Sequence, residues 1–180
     1  MVKTQRLFVA VELPDELREK VHALAAELPN EGVKVVEQQN IHLTLKFIGD
    51  FPDDKISELK SRLSSVKFKS FNCSVSGVGV FPSPDYIKVL WAGLKCDEIP
   101  KLAAEIENAL DGLVKKENRP FSSHVTIARA KKKIDASEFL ETHKNDNFGE
   151  FTVSGFMLMQ SELGGSGPTY TVLKKFAIEN

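Results

Sequence analysis

This 180-residue sequence has only two cysteines, one tryptophan and a net charge of −1, and it has no long apolar run. No stretch approaches the roughly 20 apolar residues of a membrane-crossing helix. The N-terminal run Leu7-Phe8-Val9-Ala10-Val11 is broken at once by Glu12 and Asp15. A secretory leader needs a longer run and a small-residue cleavage site, so the expectation is a soluble, cytoplasmic protein. Two cysteines are too few for a disulfide framework. A bridge between Cys73 and Cys96 stays open, but two thiols in a chain of this size read as reduced. Near-zero charge excludes a broadly basic nucleic-acid surface and leaves room only for a local cationic cleft.

What is present suffices for a core. Apolar residues make up 42% of the chain and include twelve Phe. Leu7 to Leu13 reads as a buried strand closed by Pro14, and residues 15–28 as a helix with Leu17, Val21, Leu24, Ala25 and Leu28 at helical spacing. Ile41 to Ile48 alternates as a strand and turns at Gly49-Asp50, and a second helix is expected over 53–65. Strands over Phe71–Phe81 and Tyr86–Leu94 flank a turn at Pro82-Ser83-Pro84-Asp85. A helix over 97–111, a strand near 123–129, a short helix near 135–143 and strands near 150–160 and 169–178 follow. The order strand–helix–strand–helix thus occurs twice, with extra strands assigned to the second copy. No low-complexity linker divides the chain.

Two of the four histidines sit in the same context, Ile41-His42-Leu43-Thr44-Leu45 and Ser123-His124-Val125-Thr126-Ile127. Residues i and i+2 of a strand share a face. His42, Thr44 and Lys46 therefore point one way, with Ile41, Leu43, Leu45 and Phe47 behind them. His124 and Thr126 stand opposite Val125 and Ile127. A lone His-x-Thr usually marks only a half-exposed strand; two at matched positions suggest facing cleft walls. Opening a cyclic phosphodiester needs a base for water and an acid for the leaving oxygen, and imidazole serves both near its usual pKa of about 6.5. Threonine hydroxyls can donate to the oxygens where charge builds, and Lys46 and Arg129 could add positive charge.

The other segments carry less. His22 and His143 read as solvated, as does the Lys131-Lys132-Lys133 run. Arg119-Pro120-Phe121 either merely enters a strand or puts Arg119 at the cleft mouth. Gly164-Gly165-Ser166-Gly167-Pro168 matches no dinucleotide or Walker loop; it reads as a flexible hairpin that could offer free amides to phosphate.

The segments His42-Leu43-Thr44-Leu45-Lys46-Phe47-Ile48-Gly49 and Arg119-Pro120-Phe121-Ser122-Ser123-His124-Val125-Thr126-Ile127-Ala128-Arg129 resemble the two signature motifs of the two-histidine phosphoesterases. Within that superfamily the chain is most similar to the RNA 2′,3′-cyclic phosphodiesterases, also called 2′-5′ RNA ligases. The opening Arg6–Pro14, the closing Ser161-Glu162-Leu163 and Tyr170 resemble that branch as well. The resemblance implies one bilobal α+β domain over residues 1–180, two pseudo-symmetric sheet-plus-helix lobes around a central cleft. It implies hydrolysis of RNA 2′,3′-cyclic phosphate ends to 2′-phosphomonoesters, with His42 as general acid and His124 as general base. Thr44 and Thr126 would bind the phosphate, with Lys46, Arg119 and Arg129 as further candidates. It also implies a joining of RNA ends such as tRNA halves by a 2′-5′ bond without a nucleotide cofactor; the acid–base chemistry itself requires no metal, and a monomer is expected. Arg129 has the opposite parity to His124, so it faces the cleft only if the strand bends.

Two rival readings are set apart by observation. A non-catalytic RNA-end binder would favour Arg or Lys over paired histidines, and turnover of a cyclic-phosphate end separates the two. A catalytic zinc would need a third protein ligand, which neither motif supplies.

Overall fold

The computed structural model describes residues 3–165 and 167–177. Its strands are β1 (Thr4–Glu12), β2 (Val33–Val35), β3 (His42–Pro52), β4 (Phe71–Ser83), β5 (Tyr86–Lys95), β6 (His124–Ala130), β7 (Asn147–Val153), β8 (Gly155–Leu163) and β9 (Pro168–Ala177). The helices are α1 (Asp15–Ala23), α2 (Ile56–Ser64), α3 (Glu98–Ala109) and α4 (Ser137–His143). This is the α+β class that the alternating and helical periodicities predict.

Local chemistry explains where the helices start and stop. Pro14 precedes α1, whose first turn carries Asp15 and Glu16 at the positive end of the helix dipole. Leu17 and Val21 face inward. The chain tightens to a 3₁₀ turn over Leu24–Glu27 and becomes extended at Leu28, because the residue before Pro29 is pushed out of the helical region. The expected helix over 15–28 is therefore two pieces. On α3, Ile99, Leu102, Ala103 and Ile106 form the buried stripe.

All strand pairs are antiparallel, in the order β7-β4-β5-β6-β3-β1-β8-β9, with β2 beside β6. Along that path four strands lie on each side of the β6–β3 junction, and β2 is the ninth strand, paired with the far end of β6. That junction is narrow: the two strands are in register at a single pair, Leu43 opposite Val125. Both side chains are fully buried in the core with the helices, each worth about 1.5–3 kcal/mol. They are the middle residues of the two His-x-Thr motifs, so the pair that joins the halves also aims both motifs at the opposite face.

Two expectations change here. The strand near 150–160 is two strands that part at Ser154 and run to opposite halves of the sheet, β7 pairing with β4 and β8 with β1. The extra strands therefore do not all belong to the second copy, since β8 and β9 complete the first half. At the parting, a Cβ on Gly155 would stand 2.8 Å from the Phe176 carbonyl oxygen, so only glycine lets β9 approach this closely.

The cysteines are the second correction. Cys73 and Cys96 form a disulfide, with Cα atoms 5.1 Å apart. Ser74 of β4 lies opposite Lys95 of β5, which sets the two thiols across from each other at the next position. The pairing follows from strand register, which sequence separation does not reveal, and it removes the reduced-thiol argument for a cytosolic address. Among the described residues no helix is long and apolar enough to cross a membrane.

Candidate functional site

His42 opens β3 and His124 opens β6, and both line one cleft of about 600 Å³ together with Thr44 and Thr126. The two imidazoles are held by the same device. The Nδ1–H of His42 donates to the carbonyl of Asn40 at 2.7 Å, and that of His124 to the carbonyl of Ser122 at 2.8 Å. A carbonyl can only accept, so Nδ1 carries the proton in each neutral ring and Nε2 is left with its lone pair. The Thr44 hydroxyl donates to His42 Nε2 at 3.0 Å. Aromatic rings from flanking strands confine both imidazoles. Phe8 and Tyr170 lie 4.9 and 5.2 Å from His42, and Phe81 and Trp91 lie 4.9 and 6.2 Å from His124, centroid to centroid.

Burial lowers the pKa of both histidines, and the Arg129 charge lowers each further, against the opposing pull of the backbone carbonyl bonds. For His42 the neighbouring His124 adds to the same effect. Burial raises the pKa of Tyr170.

Past each threonine the strands break the rule that sequence reading relied on. Val9 of β1 pairs with Lys46 and Ala10 with Thr44, which leaves Leu45 unpaired. Leu90 of β5 pairs with Ala128 and Trp91 with Thr126, which leaves Ile127 unpaired. Each motif thus carries a β-bulge at the residue after its threonine, and a bulge reverses which face the following residues occupy. Leu45 and Lys46 are both buried, as are Ile127 and Ala128, while Phe47 and Arg129 turn outward and line the cleft.

Strict alternation is therefore wrong for three residues. Arg129 faces the cleft despite its parity, and Phe47 lines the cleft instead of packing in the core. Lys46 does not reach the cleft: it is 5% exposed, 2.6 Å from the Glu107 carboxylate of α3, and donates to the Lys115 carbonyl at 2.8 Å. Lys46→Met is expected to lower stability by about 1–3 kcal/mol, because a partly buried carboxylate loses its partner. Urea unfolding checks this, with turnover per folded molecule staying within about twofold. Unchanged stability with a selective loss of turnover would return Lys46 to the site.

Other expectations also move. Arg119 is exposed in the loop before β6, outside the cleft lining. The Gly164–Pro168 segment does border the cleft through Gly167 and Pro168, and Asn40 Nδ2 donates to the Pro168 carbonyl at 3.1 Å. Its Gly164 and Gly167 amides, however, donate to each other's carbonyls across the turn, so they are not free for phosphate; Ser166 lies outside the described residues. His22 is partly buried, with its Nδ1 bonded to the Val36 carbonyl at 3.1 Å. His143 is 7% exposed and bridges Asp146 at 2.7 Å and Glu27 at 2.8 Å. Burial opposes its charge, but the two carboxylates outweigh that and raise its pKa. His143 is thus a buried structural tie, and His22 is tied to the fold at one ring nitrogen while staying partly exposed.

Sequence reading missed Lys34. It sits on β2 directly opposite Arg129 and lines the cleft. No local motif marks it, because its place depends on β2 docking beside β6.

Comparison with known proteins agrees with this geometry. The family model described as LigT-like phosphoesterase matches residues 11–91 and again 95–170, one match around each motif. An RNA 2′,3′-cyclic phosphodiesterase of Archaeoglobus fulgidus is 38% identical over 174 residues, which covers 95% of this chain and 99% of that protein. One of Methanocaldococcus jannaschii is 30% identical, again over 95% of this chain and 99% of its own. Among solved structures, a Thermus thermophilus protein superposes with a TM-score of 0.83 at 32% identity, covering 96% of this chain and 97% of that one. The Escherichia coli LigT complexed with 3′-AMP superposes with a TM-score of 0.83 at 27% identity, covering 98% and 99%.

Proposed function

The chain belongs to the LigT-like phosphoesterase family, and from that premise we propose that it opens 2′,3′-cyclic phosphates at RNA ends to 2′-phosphomonoesters by two-histidine acid–base catalysis. Water attacks phosphorus as its proton passes to His124 Nε2. The bond from phosphorus to the 3′ oxygen breaks, and that oxygen takes a proton from His42 Nε2. Thr44, Thr126 and Arg129 donate to the non-bridging oxygens, where charge builds in the transition state. With a 5′-hydroxyl in place of water, the same steps give a 2′-5′ bond. Neither half of the sheet contributes both histidines, so residues 1–180 work as one unit.

The observation that carries this reading is the matched pair of imidazoles, each pinned at Nδ1 by the carbonyl two residues earlier, with both side chains lining one cleft. Pinning fixes ring orientation and makes Nε2 the working nitrogen on both sides. Among the described residues no group of three or more His, Cys, Asp or Glu side chains gathers to hold a metal ion.

The test is the pH dependence of turnover of a 2′,3′-cyclic nucleotide. Catalysis needs His124 neutral and His42 protonated. Both pKa values are depressed in the free protein, so the bell in kcat/KM is expected to peak on the acid side of about 6.5, imidazole's ordinary value. Its basic limb is the loss of the His42 proton. A bound anion favours that proton, so the basic limb of kcat should lie at higher pH than that of kcat/KM. A flat profile between about pH 5 and 9 removes the assignment.

A further inference from the structure

Phe8 of β1 and Tyr170 of β9 confine the His42 ring, and Tyr170 meets it edge to face with centroids 5.2 Å apart. The strand that carries Tyr170 has little to hold it there. β1 pairs with β8 from Ala10 opposite Met157 to Leu7 opposite Gln160, so Ser161–Leu163 and their β9 partners Pro168–Tyr170 extend past that pairing. Among the described residues one side-chain hydrogen bond ties Pro168–Tyr170 to another part of the chain, from Asn40 Nδ2 to the Pro168 carbonyl at 3.1 Å. Pro168 and Tyr170 stand two residues apart and share a face of β9, and both line the cleft. Asn40 lines it too, and its own carbonyl accepts the Nδ1–H of His42 at 2.7 Å. One residue thus reaches the imidazole from two directions.

His124 needs no such tie. The Ser122 carbonyl pins its ring in the same way, but its aromatic walls lie on strands paired to one another and to β6. Trp91 is opposite Thr126, and Phe81 is opposite Val89. Sheet pairing alone keeps that wall in place, whereas beside His42 the task falls to a side chain. We propose that Asn40 is the positioning residue of His42, its carbonyl fixing the ring at Nδ1 and its amide holding the start of β9 so that Tyr170 stays against the imidazole. The proposal rests on the acid–base reading and adds what keeps the acid in place.

The experiment compares wild type, Asn40→Ala, Tyr170→Ala and the double variant. Alanine at position 40 keeps the carbonyl and removes the amide, so the ring stays pinned while its Tyr170 wall loosens. Water then reaches His42. Burial is the largest influence holding its pKa down, so its titration should move to higher pH. The other titratable or charged groups lining the cleft, Lys34, Glu37, His124, Arg129 and Tyr170, are unaltered in Asn40→Ala. Proton NMR of the free protein should therefore show His42 titrating at higher pH in that variant, with His124 unmoved. On 2′,3′-cyclic AMP, kcat should fall about threefold to tenfold, the worth of one neutral hydrogen bond, and the basic limb of kcat/KM should move the same way as the NMR titration. Because the Asn40 amide acts through Tyr170, the double variant should match Tyr170→Ala, as expected for coupled neighbours. An unmoved His42, equal shifts of both histidines, or losses that multiply in the double variant each overturn the proposal. If wild type turns over no cyclic nucleotide, the acid–base reading fails by itself, and the NMR titrations of the four proteins still decide whether Asn40 positions the ring.

Discussion

Replacing His42 or His124 by alanine is expected to cut kcat on a 2′,3′-cyclic nucleotide by about a hundredfold to ten-thousandfold, the range for a positioned acid or base. The two losses should not add. If one ring supplies the proton that the other step requires, the double variant should be little worse than the worse single variant, as for groups that act as a unit. Folding should barely change, because both rings are only partly buried and the residues that join the halves are Leu43 and Val125. Thermal unfolding alongside steady-state kinetics makes the comparison. Full activity in either single variant would end the acid–base assignment, and fully additive losses would mean that the histidines act independently.

Thr44→Ala and Thr126→Ala are expected to lose about tenfold to a thousandfold in kcat, since each removes one donor to the transition-state oxygens. Thr→Ser at either position should keep much of the activity, because the hydroxyl is retained and only a methyl is lost. The two sites should differ in one respect. In the neutral ring the Thr44 hydroxyl donates to His42 Nε2 at 3.0 Å, which favours the unprotonated form, so Thr44→Ala should also move the basic limb of the pH profile to higher pH. Kinetics across pH for both alanine variants resolve this. If serine is as damaging as alanine, the threonines are packing residues and the phosphate is held by other groups.

Position in the strand separates what was legible from what was not. His42, Thr44, His124 and Thr126 could be assigned to one face because they stand within two residues of each other before any irregularity, where alternation is a property of the chain alone. The apolar residues between them, Leu43 and Val125, mark the opposite face for the same reason. From Leu45 and Ile127 onward the reading failed, since a bulge is a mismatch between two strands. Nothing in Leu45-Lys46-Phe47 or Ile127-Ala128-Arg129 announces it. Lys46 looked like a phosphate ligand and is the buried partner of Glu107.

The sequence by itself determined the α+β class, the helices and most strands, and the two pairs of side chains at the centre of the cleft. All of these follow from periodicities within a few residues of chain. Only the tertiary structure decided that β8 and β9 complete the first half, that Cys73 meets Cys96, that Lys34 reaches the cleft, and that Phe47 and Arg129 line it. Each of these depends on which strand lies beside which and in what register. That choice is settled by burying side chains from distant parts of the chain against one another, an energy that no local spacing encodes.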